Sequence, residues 1–149
     1  DKPHRVIPEL DEATILNCFK INEKRQKEKK KLVKFLLVFD DCLSREHIHN
    51  KTILKLFQWG RIYKICPLVL NQSISQIHPD LKRNTDILFL FKPVLLRDKL
   101  YIWENWLCSE FSKNKSLELL NRVPAYHSLV INLTAAETSF GLYKAPLID

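Results

Sequence analysis

Two adjacent carboxylates, Asp40 and Asp41, follow directly on the apolar run Phe35-Leu36-Leu37-Val38-Phe39. An unbroken apolar run of this length reads as a strand buried on both faces, and α/β folds keep their chemistry at the C-terminal ends of such strands. Two negative charges delivered to that point can organise a divalent cation and polarise a water, the Walker B arrangement of nucleoside-triphosphatases. An Asp-Asp turn that caps the next helix accounts for the same two residues. One strand later, Gln72 stands just after Ile65-Cys66-Pro67-Leu68-Val69-Leu70, where an amide can donate to a phosphate oxygen while accepting from a water. A polar residue opening a turn is the plain alternative there, and Ser73 beside it suits a helix cap.

The elements that must position these residues alternate between strand and helix. From about Pro8 to Lys31, Leu10, Ile15, Leu16, Cys18, Phe19 and Ile21 form an imperfect helical stripe that dissolves into the charge run of residues 23–31. After the acidic strand, Ile53, Leu54, Leu56, Phe57 and Ile62 predict a helix packed back on the sheet, with Gly60 ending or bending it. Ile65 to Leu70 is the next strand, Ile74 to Lys82 a short helix or turn interrupted by Pro79, and Ile87 to Phe91 a third strand. Consecutive strand-helix-strand units of this kind predict a parallel sheet with right-handed crossovers. Helical spacing recurs over Arg97 to Ser112 and Ser116 to Arg122. Two short strands, His127 to Leu133 and Ser139 to Tyr143, close the chain around a polar turn. The expected fold class is α/β, with a mainly parallel sheet, flanking helices and a short C-terminal β extension.

The chain has 149 residues, 46% of them hydrophobic, which suits one core and one globular unit. A formal charge of +7 points to an anionic partner. Cys18, Cys42, Cys66 and Cys108 show no C-x-x-C pairing and sit among apolar residues, so they read as reduced core thiols. The longest apolar stretches are broken by Lys92, Pro93 and Arg97, well short of a membrane span, so no membrane partner is expected. Methionine is absent and the chain begins at Asp1, from which we expect an internal or C-terminal piece of a longer product. Gly60 and Gly141 are the only glycines, which excludes a G-x-x-x-x-G-K-[ST] phosphate loop within these residues.

The order and spacing of Asp40-Asp41, Gly60-Arg61, Gln72 and Ile77-x-x-x-Leu81-Lys-Arg83-Asn84 ahead of Ile87 to Phe91 resemble the second half of a motor ATPase of the FtsK/HerA superfamily. Within it, the pattern is similar to the poxvirus-like genome-packaging ATPases of large double-stranded DNA viruses and virophages. The resemblance covers roughly Val33 to Phe91 and implies a partial P-loop NTPase core. Residues 1–149 would then be the C-terminal part of a single NTPase domain, from Walker B onward. It implies ATP and Mg2+ as cofactors. Asp40 would hold the metal through water, and Asp41 would orient or deprotonate the attacking water. Gln72 would sense the γ-phosphate, and Arg61 or Arg83 would act as an arginine finger on a neighbouring subunit's nucleotide. It further implies double-stranded DNA, a homo-oligomeric ring and a viral capsid as partners, in the cytoplasmic virus factory or the virion. The chain departs from the family pattern at Ile62, where a His is common, and at Asn132, where the family's strand tends to end in Asp.

Two other readings stand beside this one: a cellular or plasmid DNA translocase of the same superfamily, and a non-catalytic basic module that keeps the sheet and binds DNA or protein only. Cys42, His47 and His49 are close enough to suggest a metal site, but they lack a fourth ligand and read equally as a polar loop. Residues 24–34 could track a DNA backbone, although the interleaved Glu28 also suits a solvated face. Trp103 and Trp106 could stack bases, yet their helical spacing favours the core.

Overall fold

The computed structural model describes residues 7, 10–43, 47, 50–72, 74, 79–134 and 138–146. The chain forms two compact units with separate cores, where length alone suggests one: residues 1–72 with 76–84, and residues 73–75 with 85–149.

The first unit opens on helix α1 (Glu12–Lys27). Asp11 caps it by accepting from the Ala13 N–H at 3.0 Å and the Thr14 hydroxyl at 2.6 Å. Glu12 in the first turn and Lys24, Arg25 and Lys27 in the last both complement the helix dipole. The buried face of α1 is Ile15, Cys18, Phe19 and Asn22, a regular i, i+3, i+4, i+7 stripe. The predicted stripe looks imperfect because one of its positions is polar: Asn22 is fully buried, whereas Ile21 faces out.

Strand β1 (Phe35–Asp40), helix α2 (Lys51–Trp59) and strand β2 (Ile65–Leu70) form the predicted strand-helix-strand unit. β1 and β2 pair in parallel, from Phe35 opposite Ile65 to Asp40 opposite Leu70. Gly60 caps the end of α2, and only glycine fits there: a Cβ would lie 2.5 Å from the Leu56 carbonyl oxygen and 2.7 Å from that of Ile65. The short helix α3 (Pro79–Arg83) follows β2. It starts on the proline that was expected to interrupt it, a position where the missing N–H costs nothing. Phe39, Ile53, Leu56, Ile65 and Leu81 join Ile15 and Phe19 in this unit's core.

Among the described residues, only one face of the strand pair is covered. Phe39 and Ile65 point into the core, while Leu36 and Val38 on β1 and Leu68 and Leu70 on β2 are 39–63% exposed. The expectation of a strand buried on both faces therefore fails for β1 among the described residues. Burial from one side gives the same apolar run, so the sequence does not distinguish the two cases.

The second unit contains β3 (Ile87–Phe91), α4 (Leu96–Ile102), a π-helical turn (Trp103–Leu107), α5 (Lys113–Arg122), β4 (His127–Asn132) and β5 (Ser139–Lys144). The expected third parallel strand is a correction. β3 pairs antiparallel with β4, and β4 antiparallel with β5. The two helices between β3 and β4 return the chain so that β4 runs back along β3, and an apolar run carries no mark of its partner's direction. The helix predicted over Arg97 to Ser112 is broken by the π turn, and α5 begins at Lys113, capped by the Ser112 hydroxyl. Ile102, Trp106, Leu107, Leu120 and Ile131 build the core here. The fold class is mixed α/β, with a parallel strand pair, flanking helices and C-terminal strands, as the sequence implies.

Candidate functional site

Register brings three of the five predicted site residues to one end of the β1–β2 pair. Asp40 lies opposite Leu70, and the Asp41 N–H donates to the Leu70 carbonyl at 2.9 Å, so the parallel ladder runs one step past the strand. Gln72 follows two residues after Leu70 on the neighbouring strand, and Asp40, Asp41 and Gln72 are all exposed. Asp41 has φ = 50°, in the left-handed region. Aspartate is one of the few non-glycine residues that adopt this conformation readily. The strand thus ends abruptly at two carboxylates that point away from the core.

The reading of these carboxylates as a helix cap does not hold. Helix α2 begins at Lys51 and is capped by Asn50, whose side-chain oxygen accepts from the N–H groups of Thr52 at 2.8 Å and Ile53 at 3.4 Å. The same Asn50 donates to the Glu12 carboxylate, which also accepts from the Thr52 hydroxyl at 2.7 Å. These two donors, the hydroxyl first, hold the Glu12 carboxyl below the usual carboxylate range, with a smaller contribution from His47. Glu12 thereby ties the start of α1 to the start of α2, the helix that follows the acidic strand end.

Arg61 sits elsewhere. Arg61 lies in the turn that leads into β2, at the end of the strand pair away from Asp40. Six residues of strand separate the two ends by about 20 Å, farther than an arginine side chain extends. Arg83 ends α3 and is exposed. Among the described residues, His, Cys, Asp and Glu form no group of three that could cage a metal ion. Of the suggested Cys42, His47 and His49 cluster, His49 lies outside the described residues. Cys18 is the one buried thiol of the four, and burial pushes it up; Cys66 and Cys108 are exposed rather than in the core. Trp106 is buried, and the Trp103 indole N–H donates to the Phe111 carbonyl at 3.2 Å, so both tryptophans serve packing rather than base stacking. At the strand end where the resembled family has Asp, the Asn132 side chain accepts from the Thr134 N–H and hydroxyl at 3.0 and 2.6 Å, a local turn lock.

The residue that sequence reasoning missed is Asn22. Its amide donates to the carbonyls of Val33 at 2.8 Å and Tyr63 at 2.6 Å, and its oxygen accepts from the Val33 N–H at 2.9 Å. One buried side chain thus joins the segments that enter β1 and β2. Its signal in the sequence is a single polar residue at a stripe position.

With this geometry the chain is similar to a solved viral protein, the genome packaging NTPase B204 of Sulfolobus turreted icosahedral virus 2. Its complex with ATP-γS superposes with a TM-score of 0.67 at 11% identity, over 97% of this chain and 66% of that one. Its AMPPCP complex gives 0.65 over 93% and 63%. The likeness is one of fold. In sequence, the chain is 36% identical over 69 residues to an uncharacterized protein, 015R, of Frog virus 3, matching 44% of this chain and 21% of that protein. It is 29% identical over 108 residues to protein L437 of Acanthamoeba polyphaga mimivirus, matching 66% of this chain and 38% of that protein. The chain therefore spans about a fifth to two fifths of the curated relatives it matches. No family profile matches it.

Proposed function

We propose that this chain carries the hydrolytic edge of an ATP-driven motor that moves double-stranded DNA, of the kind that loads viral capsids. The supporting observation is the convergence of Asp40, Asp41 and Gln72 on one end of a parallel strand pair, within a fold similar to a genome-packaging NTPase. Two adjacent exposed carboxylates with no third grouped ligand among the described residues suit Mg2+, which keeps most of its waters and takes further oxygens from phosphate. Asp40 would hold that ion through water. When bound, the ion supplies charge neutralisation at the transferring phosphoryl group.

In this reading Asp41 orients the attacking water and accepts its proton. The Gln72 amide would donate to a γ-phosphate oxygen, and would lose that contact when the γ-phosphate departs after hydrolysis. Arg61 and Arg83 are the two candidates for an arginine finger. Arg61, at the far end of the strands, could serve only a neighbouring subunit's nucleotide, which fits a homo-oligomeric ring. The phosphate loop comes from residues outside these 149, since neither glycine supplies one. The setting is the virus factory or the virion.

The full-length protein should hydrolyse ATP, and faster with duplex DNA present. Duplex binding without any hydrolysis would instead favour a non-catalytic basic module that keeps an NTPase-like sheet.

A further inference from the structure

The N-terminal end of the β1–β2 pair carries a concentration of positive charge that the hydrolytic reading does not use. Residues 20–34 hold eight lysines and arginines against two glutamates. One main-chain and one side-chain hydrogen bond gather them into one corner: Lys30 N–H donates to the Arg25 carbonyl at 2.8 Å, and Arg25 Nε donates to the Lys31 carbonyl at 2.6 Å. Asn22 then joins Val33 to Tyr63, and the Phe35 N–H donates to the Lys64 carbonyl at 3.0 Å. Lys29, Lys31, Lys34 and Lys64 therefore share this corner, and all four are exposed.

The local acids are committed elsewhere. Glu28 pairs with Lys30 at 2.7 Å and Lys24 at 4.0 Å, and Glu23 with Lys55 at 3.5 Å. Among the described residues, Lys29, Lys31, Lys34 and Lys64 form no ion pair. In the second unit, by contrast, Glu118 pairs with Arg122 at 2.7 Å and Lys115 at 3.7 Å. A separate observation concerns the backbone. Lys29 and Lys64 adopt φ = 52° and 56°, the left-handed conformation that favours glycine. Both lysines occupy backbone positions that glycine would hold with less strain, Lys29 as the residue that follows the α1 C-cap, its N–H donating to the Gln26 carbonyl at 3.1 Å.

We infer that this corner is a contact surface for the phosphate backbone of double-stranded DNA. A duplex presents one negative charge per ~1.7 Å of its axis, and unpaired ammonium groups gain by releasing its counterions. The corner lies about 20 Å along the strands from Asp40, so DNA and nucleotide can be engaged at the same time. The inference rests on the reading of this chain as part of a DNA motor. The adjoining turn exposes Trp59 and Ile62, a combination that would also suit an anionic lipid surface, and the test separates the two.

The test is the affinity of the full-length protein for a short labelled duplex over a salt series, comparing wild type with Lys29→Gly/Lys64→Gly. Glycine suits both backbone positions, so the variant should melt no lower than wild type. The log-log salt slope should fall by about 2, close to 0.9 per phosphate contact, with affinity down on the order of tenfold or more near ~0.1 M salt. The control Lys115→Ala/Lys144→Ala should change neither. Unchanged slope and affinity in the glycine variant, with wild type binding DNA, would overturn the surface and leave the motor reading intact. Failure of wild type to bind duplex would overturn both, and binding to phosphatidylserine vesicles in its place would assign the corner to lipid.

Discussion

At its N-terminal end the β1–β2 pair is held by side chains: buried Asn22 bridges Val33 and Tyr63, and Gly60 lets the end of α2 lie against the start of β2. At its C-terminal end the last tie is main chain to main chain, from Asp41 to Leu70, and Asp40, Asp41 and Gln72 stand exposed around it. One end is tied by a buried side chain, and the other presents the exposed carboxylates to which the proposed hydrolysis is assigned. The contrast explains how two like charges can sit side by side without burial, and why substitutions at the two ends should have opposite profiles.

The largest effect on folding is expected from Asn22→Ala. It leaves one N–H and two carbonyls without their partner, at a cost of about 3 kcal/mol or more, read as a lowered urea midpoint with unchanged m value. Gly60→Ala comes next. The new Cβ meets two backbone oxygens rather than a movable side chain, and overpacking of this kind costs about 1–3 kcal/mol. A smaller effect attaches to Glu12. Its pKa is depressed in the folded state, so the stability it contributes is present above its unfolded value and is lost as pH falls through the folded one. Acid titration should therefore destabilise wild type more steeply below about pH 4.5 than it does Glu12→Gln. The smallest effect on stability belongs to Asp41→Asn, within about 0.5 kcal/mol. Asparagine also tolerates the left-handed backbone, and the carboxylate it replaces makes no hydrogen bond among the described residues. A large loss of stability there would break the contrast between the two ends.

The open apolar face of the strand pair gives a further expectation. With Leu36, Val38, Leu68 and Leu70 uncovered, the isolated 149-residue chain should self-associate, and Leu36→Thr/Leu68→Thr should shift it toward monomer in sedimentation velocity. A monomeric wild-type chain would contradict this.

The meeting of Asp40, Asp41 and Gln72 at one strand end was legible in the sequence, because an apolar run ending in Asp40-Asp41, followed one strand later by Gln72, constrains both period and direction. Gly60 was legible as a helix end, though its reason, a close backbone approach, was not. Three features escaped for physical reasons. Asn22 reads as a flaw in a helical stripe, because its value lies in two carbonyls 11 and 41 residues away. The direction of β3 is invisible in Ile87 to Phe91, since the same run suits a parallel or an antiparallel neighbour. The distant placement of Arg61 follows from strand polarity and not from its nearness to Gln72 in sequence.

If Asp41 is the proposed base, it acts at an end of the fold that contributes little to stability. The most direct measurement is DNA-stimulated ATP hydrolysis by the full-length protein carrying Asp41→Asn, alongside its nucleotide affinity. The account predicts that hydrolysis is lost, by about 100-fold or more as for removal of a general base, while nucleotide binding and melting temperature stay near wild type. Hydrolysis at the wild-type rate in that variant would contradict it.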